Sequence, residues 1–278
     1  MGNLSDIKSP ALYTALLAEL LGVMFLVVVA CGSCAGISST VQISLCFALA
    51  IATLVWNTCR VSGGHLNPAV TVAMLVTRRI TLVRATLYVA VQMLGALLGA
   101  AILLATMGDV KNAKGKDFSE TLGVSSPSNP DTALGAVFGI ELLITFVLVW
   151  TVFATCDSRR TDLAGSGPLA IGLSIGMCHL WAVPITGSGM NPARVFGPAV
   201  VSGVWTHHWA YWVAPIVGGI AAGLIYDFLF AVNATRSKLR AFVSKDYDDS
   251  NFNQSGRYEP GTQDDAQNAS ALPLKETP

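Results

Sequence analysis

Six stretches of this chain are apolar over the length needed to cross a lipid bilayer, and that feature fixes the solvent in which it can fold. A transmembrane helix takes about 20 mostly apolar residues. The stretches run near Ala11–Cys31, Gln42–Cys59, Val83–Met107, Ala133–Cys156, Pro168–Pro184 and Trp209–Val232. The first is too long for the h-region of a signal peptide, about 7–15 residues, and it contains Glu19, so it reads as a span. Composition agrees. Hydrophobic residues make up 53% of the 278 and charged residues 12%, against about 25% charged in soluble domains. The mean hydropathy is +0.57, which excludes disorder for the bulk of the chain. Lys+Arg and Asp+Glu are both 17. No net basic field exists to collect phosphates, so nucleic acid is not an expected partner.

An even number of spans leaves both termini on one side. Thirteen basic residues fall on that side, among them Arg78, Arg79, Arg159, Arg160, Arg236 and Arg240. The other side holds Lys111, Lys114 and Lys116. The positive-inside rule therefore predicts cytoplasmic termini. The segments are a short N-terminus (1–10), a membrane domain (11–232) and a cytoplasmic tail (233–278) expected to be largely disordered. The sequons at Asn253 and Asn268 lie on the side where glycosylation does not occur. Six cysteines form no zinc framework: Cys31 and Cys34 stand as C-x-x-C without a second pair. They read as buried small hydrophobes, and no metal or cofactor is expected.

Two further apolar segments, Pro68–Thr77 and Pro192–Val200, are too short to cross alone. Placed tip to tip, their 19 residues span roughly 28 Å at 1.5 Å each, close to the bilayer's hydrocarbon thickness. They begin alike, with Gly64-His65-Leu66-Asn67-Pro68-Ala69 and Gly189-Met190-Asn191-Pro192-Ala193-Arg194. Glu19 precedes Asn67 by 48 residues, and Glu141 precedes Asn191 by 50. The third span of each half carries a small-xxx-small pair, Gly95/Gly99 and Gly219/Gly223. The chain is thus two copies of span–span–half-helix–span, over 11–107 and 133–232. Three crossings per copy make the repeat inverted.

Asn is a strong N-cap, and Pro suits the first helical position. Each Asn-Pro-Ala therefore starts a helix at the bilayer centre, and two positive helix ends face each other there. Irregular backbone at that depth needs a protein interior or a water-filled cavity around it. Asn67 and Asn191 accept bonds from their own half-helices and keep N–H donors for the path. Donors at the centre bind a water oxygen and turn its hydrogens outward, so the water passes on no proton. The positive ends repel cations. Glu19 and Glu141 are costly in lipid. They read as acceptors for loop backbone rather than as a proton relay. His65 reads as a residue that stabilises its loop.

Together these residues resemble the two signature loops of the aquaporins, the major intrinsic proteins, over about Ala11 to Val232. The resemblance implies an all-α bundle of six spans and two re-entrant half-helices, assembled as a homotetramer with a pore in each subunit. It also implies a selectivity filter of Phe47, His179, Ser188 and Arg194, at the family's offsets from the signature loops. Bulky Phe47 and His179 with Arg194 resemble the water-selective branch. Val195 and Ala199 stand where glycerol facilitators carry Asp and a basic residue. Tyr211-Trp212 agrees with the water branch. Many members have cysteine where Ser188 stands, and mercury attacks it, so weak mercury inhibition is predicted here.

The reading is a passive water channel in the plasma membrane that excludes protons, ions and glycerol, with water as permeant and no covalent step. Two other classes use such features: an alternating-access carrier, which needs a coupling-ion site, and an adhesion scaffold on the same fold. An intramembrane enzyme is the weakest rival, since no G-x-S-x-G or H-E-x-x-H is present.

Overall fold

The computed structural model describes residues 4–111, 115–162, 165–244 and 247. The six long apolar runs become six helices: α1 (Pro10–Leu26), α2 (Thr40–Ser62), α4 (Leu82–Met107), α5 (Leu134–Thr155), α6 (Gly167–Thr186) and α8 (Ala210–Ile225). The two short runs become α3 (Pro68–Val76) and α7 (Pro192–Ser202). A π-helical turn extends α1 through Val27–Cys31 and another extends α8 through Tyr226–Phe230. With these turns, all six are long and apolar enough to cross a membrane. Observed ends fall within three residues of the expected ones. The second span differs most, because Cys59-Arg60-Val61-Ser62 stays helical up to a left-handed glycine, Gly63 at φ 90°. Gly187, at φ 79°, ends α6 in the same way at the equivalent place in the second copy.

Local chemistry explains the starts. Ser39, Thr81 and Ser166 cap α2, α4 and α6 by accepting from Gln42, Arg84 and Leu169 backbone N–H. Such caps each contribute about 1 kcal/mol. Asn67 and Asn191 cap α3 and α7, each with Pro at the first helical position.

The packing follows the inverted repeat. Helix α1 lies on α4, α5 on α8, and α2 on α6 across the repeat boundary. The half-helices exchange places: α7 packs mainly on α4 of the first copy, and α3 mainly on α8 of the second. Glycines permit these approaches. A Cβ on Gly95 would lie 2.3 Å from Leu20 O, and one on Gly99 2.6 Å from Met24 O. On α8 the tightest approach is at Gly218, 2.3 Å from Leu142 O, rather than at Gly219. The Gly219/Gly223 spacing thus stands one residue beyond the position in backbone contact with α5. Gly219 instead faces Ala69 O of the half-helix, and Gly223 faces Phe153.

Beyond α8, residues Arg236–Ala241 form a short helix, α9. The segment from 233 therefore begins with a short helix, ahead of the polar stretch from Ser244 on. The sequons at Asn253 and Asn268, with Lys114 and the rest of the tail from 248, lie outside the described residues.

Candidate functional site

The two Asn-Pro-Ala tips meet. Asn67 Oδ1 accepts from Ala69 N at 2.8 Å, and Asn191 Oδ1 accepts from Ala193 N and Arg194 N at 3.0 and 3.2 Å. Each carboxamide also reaches across to the opposite loop. Asn67 Nδ2 donates to Met190 O at 2.9 Å, and Asn191 Nδ2 donates to Leu66 O at 2.8 Å. One of the two N–H groups on each Nδ2 is thus engaged between the halves, which leaves each carboxamide a second donor. Leu66 and Met190 adopt left-handed backbone, φ 50° and 55°. That conformation turns their carbonyls toward the opposing asparagine.

Each loop is held from behind by a fully buried glutamate. Glu19 Oε1 accepts from Ser62 Oγ (2.6 Å) and His65 N (2.9 Å), and its Oε2 accepts from Leu66 N (2.7 Å) and Gln92 Nε2 (2.8 Å). Glu141 Oε1 accepts from Thr186 Oγ1 (2.7 Å) and Gly189 N (3.0 Å), and its Oε2 accepts from Met190 N (2.9 Å). Both carboxylates are spent on loop backbone and its neighbours. That removes the uncompensated charge that would otherwise be costly at this depth.

Sequence reasoning missed the partners of these carboxylates. Ser62 and Thr186 donate to them directly. Tyr88 OH donates to Ser62 O at 2.8 Å, and Tyr211 OH donates to Thr186 O at 2.6 Å. The internal repeat carried the signal. Ser62 and Thr186 follow their glutamates by 43 and 45 residues, and Tyr88 and Tyr211 by 69 and 70.

A narrow cavity runs beside the tips, offering about 40 Å³ to the centres of water-sized molecules. One water needs roughly 10–15 Å³ on that measure, so the space suits a short single file. Asn67, Asn191, His65, Phe47, His179 and Arg194 are on its wall, with apolar residues such as Ile51, Val55, Leu148 and Ile175 between them. His65 borders the cavity as well as its own loop. Its Nδ1 pairs with Thr71 Oγ1 at 3.1 Å, and its ring also borders a wider vestibule of about 410 Å³ with Ser62, Arg79 and Arg84.

Three of the four expected filter residues converge on this wall. The Phe47 and His179 rings lie 4.4 Å apart between centroids, and the Arg194 guanidinium stands 5.1 Å from the Phe47 centroid. His179 Nδ1 is 3.1 Å from Ile175 O. A carbonyl only accepts, so Nδ1 carries the proton and Nε2 is an acceptor. That Nε2, with Nε and Nη1 of Arg194, is buried without a protein partner among the described residues. The constriction therefore offers one acceptor and at least two donors to whatever occupies it. Ser188 is fully buried, and its Oγ contacts His179 Nδ1 at 3.2 Å. It touches the histidine and is not among the residues that line this cavity.

Residues 6–226 match the family model of the major intrinsic proteins. Aquaporin-4 of Homo sapiens is 46% identical over 229 residues, covering 79% of this chain and 68% of the relative. Aquaporin FA-CHIP of Pelophylax lessonae is 40% identical, covering 82% of this chain and 86% of the relative. Among solved structures, an aquaglyceroporin from Plasmodium falciparum superposes with a TM-score of 0.70 at 23% identity, over 78% of this chain and 96% of that one. That likeness speaks to the fold. With the family model spanning most of the chain, the protein belongs to the major intrinsic protein family.

Proposed function

We propose that water passes through each subunit in single file, oriented at the Asn67/Asn191 pair and filtered at Phe47, His179 and Arg194. The chain is a passive water channel of the membrane and not an enzyme. What carries the residue-level reading is the reciprocal pairing of the two asparagines beside a water-sized lumen. The second N–H of each carboxamide donates to the oxygen of the central water. That water then has only its hydrogens to offer, one toward each side, and accepts no proton from its neighbours. Pro68-Ala69 and Pro192-Ala193 start the half-helices whose positive ends repel cations at the same point.

At the filter, water donates to His179 Nε2 and accepts from Arg194, so its lost hydration is replaced. A glycerol carbon chain meets Phe47 and His179 with no apolar wall free. Ser188 positions His179. Glu19, Glu141 and His65 hold the loops, and the saturation of both carboxylates by loop donors favours a channel over an ion-coupled carrier.

Both termini are cytoplasmic in this reading, the membrane is the plasma membrane, and the channel unit spans 11–232. The assembly is a homotetramer. An apolar groove between α2 and α6, containing the buried Ser44 Oγ, which has no partner among the described residues, supports seating of a neighbouring subunit. Native mass spectrometry is expected to give four times 29.2 kDa. Stopped-flow light scattering on proteoliposomes tests the permeation reading. Fast shrinkage in sucrose with no glycerol entry is expected, and rapid glycerol entry overturns the assigned filter.

A further inference from the structure

Helix α9 lies where the pore has no use for it. Thr235 caps it by accepting from Lys238 N at 3.2 Å. Its inner side is fixed in three ways. Lys238 is fully buried, donates from Nζ to Asn233 Oδ1 at 2.9 Å and sits over the Phe228 ring. Phe242, just past the helix, packs edge-on against Phe228 at 4.9 Å and carries the Arg78 guanidinium on its face at 5.1 Å. Arg78 Nη1 donates to Ser244 O at 2.7 Å. These tethers hold α9 within a few residues of Phe230, the end of the sixth span.

The outer side is different in kind. Arg236, Leu239 and Arg240 are exposed and follow the i, i+3, i+4 spacing of one helical face, and Val243, in the turn two residues past the helix, is exposed as well. Leu239 is 51% exposed and Val243 83%. No Asp or Glu occurs between Arg236 and Ser244. Leu229 (71% exposed) and Phe230 (56%), at the apolar end of the last span, precede α9 by a few residues. Two exposed aliphatic side chains beside two guanidiniums, on a helix tied to Phe228 at the end of an apolar span, match the boundary between acyl chains and headgroups.

We propose that this face is a membrane-surface anchor, with Leu239 and Val243 entering the boundary and Arg236 and Arg240 binding the phosphates of anionic phospholipids. The inference goes beyond water conduction. It uses the proposed orientation only in that the cytoplasmic leaflet is the anionic one. A soluble protein partner is disfavoured, because α9 is tied through Lys238 and Phe242 to Phe228 of the last span and begins six residues after that span's apolar end.

The test uses the full chain in nanodiscs of phosphatidylcholine, with and without phosphatidylserine. Nanodiscs expose both leaflets, so a wrong orientation does not affect the result and is separately visible by protease access in sealed vesicles. Backbone hydrogen exchange over 236–244 is expected to slow about tenfold in the anionic discs. The double variant R236Q/R240Q is expected to abolish that slowing while leaving water permeability unchanged. Inorganic phosphate added to the protein in detergent is expected to give none. Equal exchange in both discs overturns the proposal, as does slowing that persists in the double variant or that phosphate alone reproduces. Stronger protection by soluble poly-glutamate than by anionic lipid also overturns it, and points to an acidic protein partner instead.

Discussion

At the scale of the residue, the most demanding groups are the two buried glutamates, because three or more donors converge on each. Replacing Glu141 by Gln keeps the shape and leaves one acceptor oxygen. The new NH₂ then faces the Met190 N–H or the Thr186 hydroxyl, both now Glu141 donors. A buried donor left unpaired costs about 1–3 kcal/mol. Glu141→Gln is therefore expected to lower the thermal midpoint in detergent and to reduce water permeability. Unchanged values of both would assign the carboxylate no structural role. His179 is a different case, since its ring fills space beside Phe47. His179→Ala is expected to raise glycerol entry on the order of tenfold or more, read by light scattering, while proton flux stays blocked by the asparagine pair.

One thiol outside the spans gives a pH prediction. Burial pushes the Cys34 thiol up to about 12. The thiolate is the reactive form, so a raised value means slower alkylation. Labelling of Cys34 is expected to be negligible at neutral pH and to rise about tenfold per pH unit toward 11, as followed by mass spectrometry of the modified peptide.

At the scale of the element, the half-helices depend on glycine at their contacts with the long spans. A Cβ on Gly197 of α7 would stand 2.2 Å from Ala96 O of α4. Backbone cannot yield as a flexible side chain does, so α7 must move, and Arg194 moves with it. Gly197→Ala is expected to lose most of the water permeability per folded channel. Gly135→Ala, in the first turn of α5, meets nothing within 4 Å and is expected to match wild type. Stopped-flow rates normalised to reconstituted protein decide between the two. The element boundaries were legible in the sequence because capping and hydropathy act locally. Asn67 and Asn191 were recognisable as caps from the proline that follows each. The contact at Gly218 was not legible, because a one-residue choice on a helix depends on how the partner helix is rotated.

At the scale of the whole molecule, an ion pair outside the pore ties the inverted halves together. Arg79, in the turn after α3, pairs with Asp227 in the last turn of the sixth span, and its guanidinium also lies 4.6 Å from the Phe153 centroid. Asp227 is buried. Removing one partner of such a pair strands the other's charge, at a cost of about 3–5 kcal/mol when fully buried. Arg79 keeps 18% side-chain exposure, so the lower end, about 3 kcal/mol, is expected for Asp227→Asn. The signature is a lower thermal midpoint with glycerol exclusion intact. A selectivity change without loss of stability would place this pair in the permeation path.

The sequence by itself determined the solvent, the six crossings, the inversion of the repeat and the starts of both half-helices. Each rests on patterns within about 20 residues or on the parity of crossings. Only the tertiary structure decided that the half-helices trade places between copies and that each asparagine gives one N–H to the opposite loop. It also decided that Ser188 touches His179 without lining the cavity and that α9 is fastened beneath the last span. Those outcomes depend on which atoms oppose one another across more than a hundred residues of chain, as Asn67 opposes Met190. Hydrogen-bond direction and steric contact at that separation leave no local imprint in the sequence.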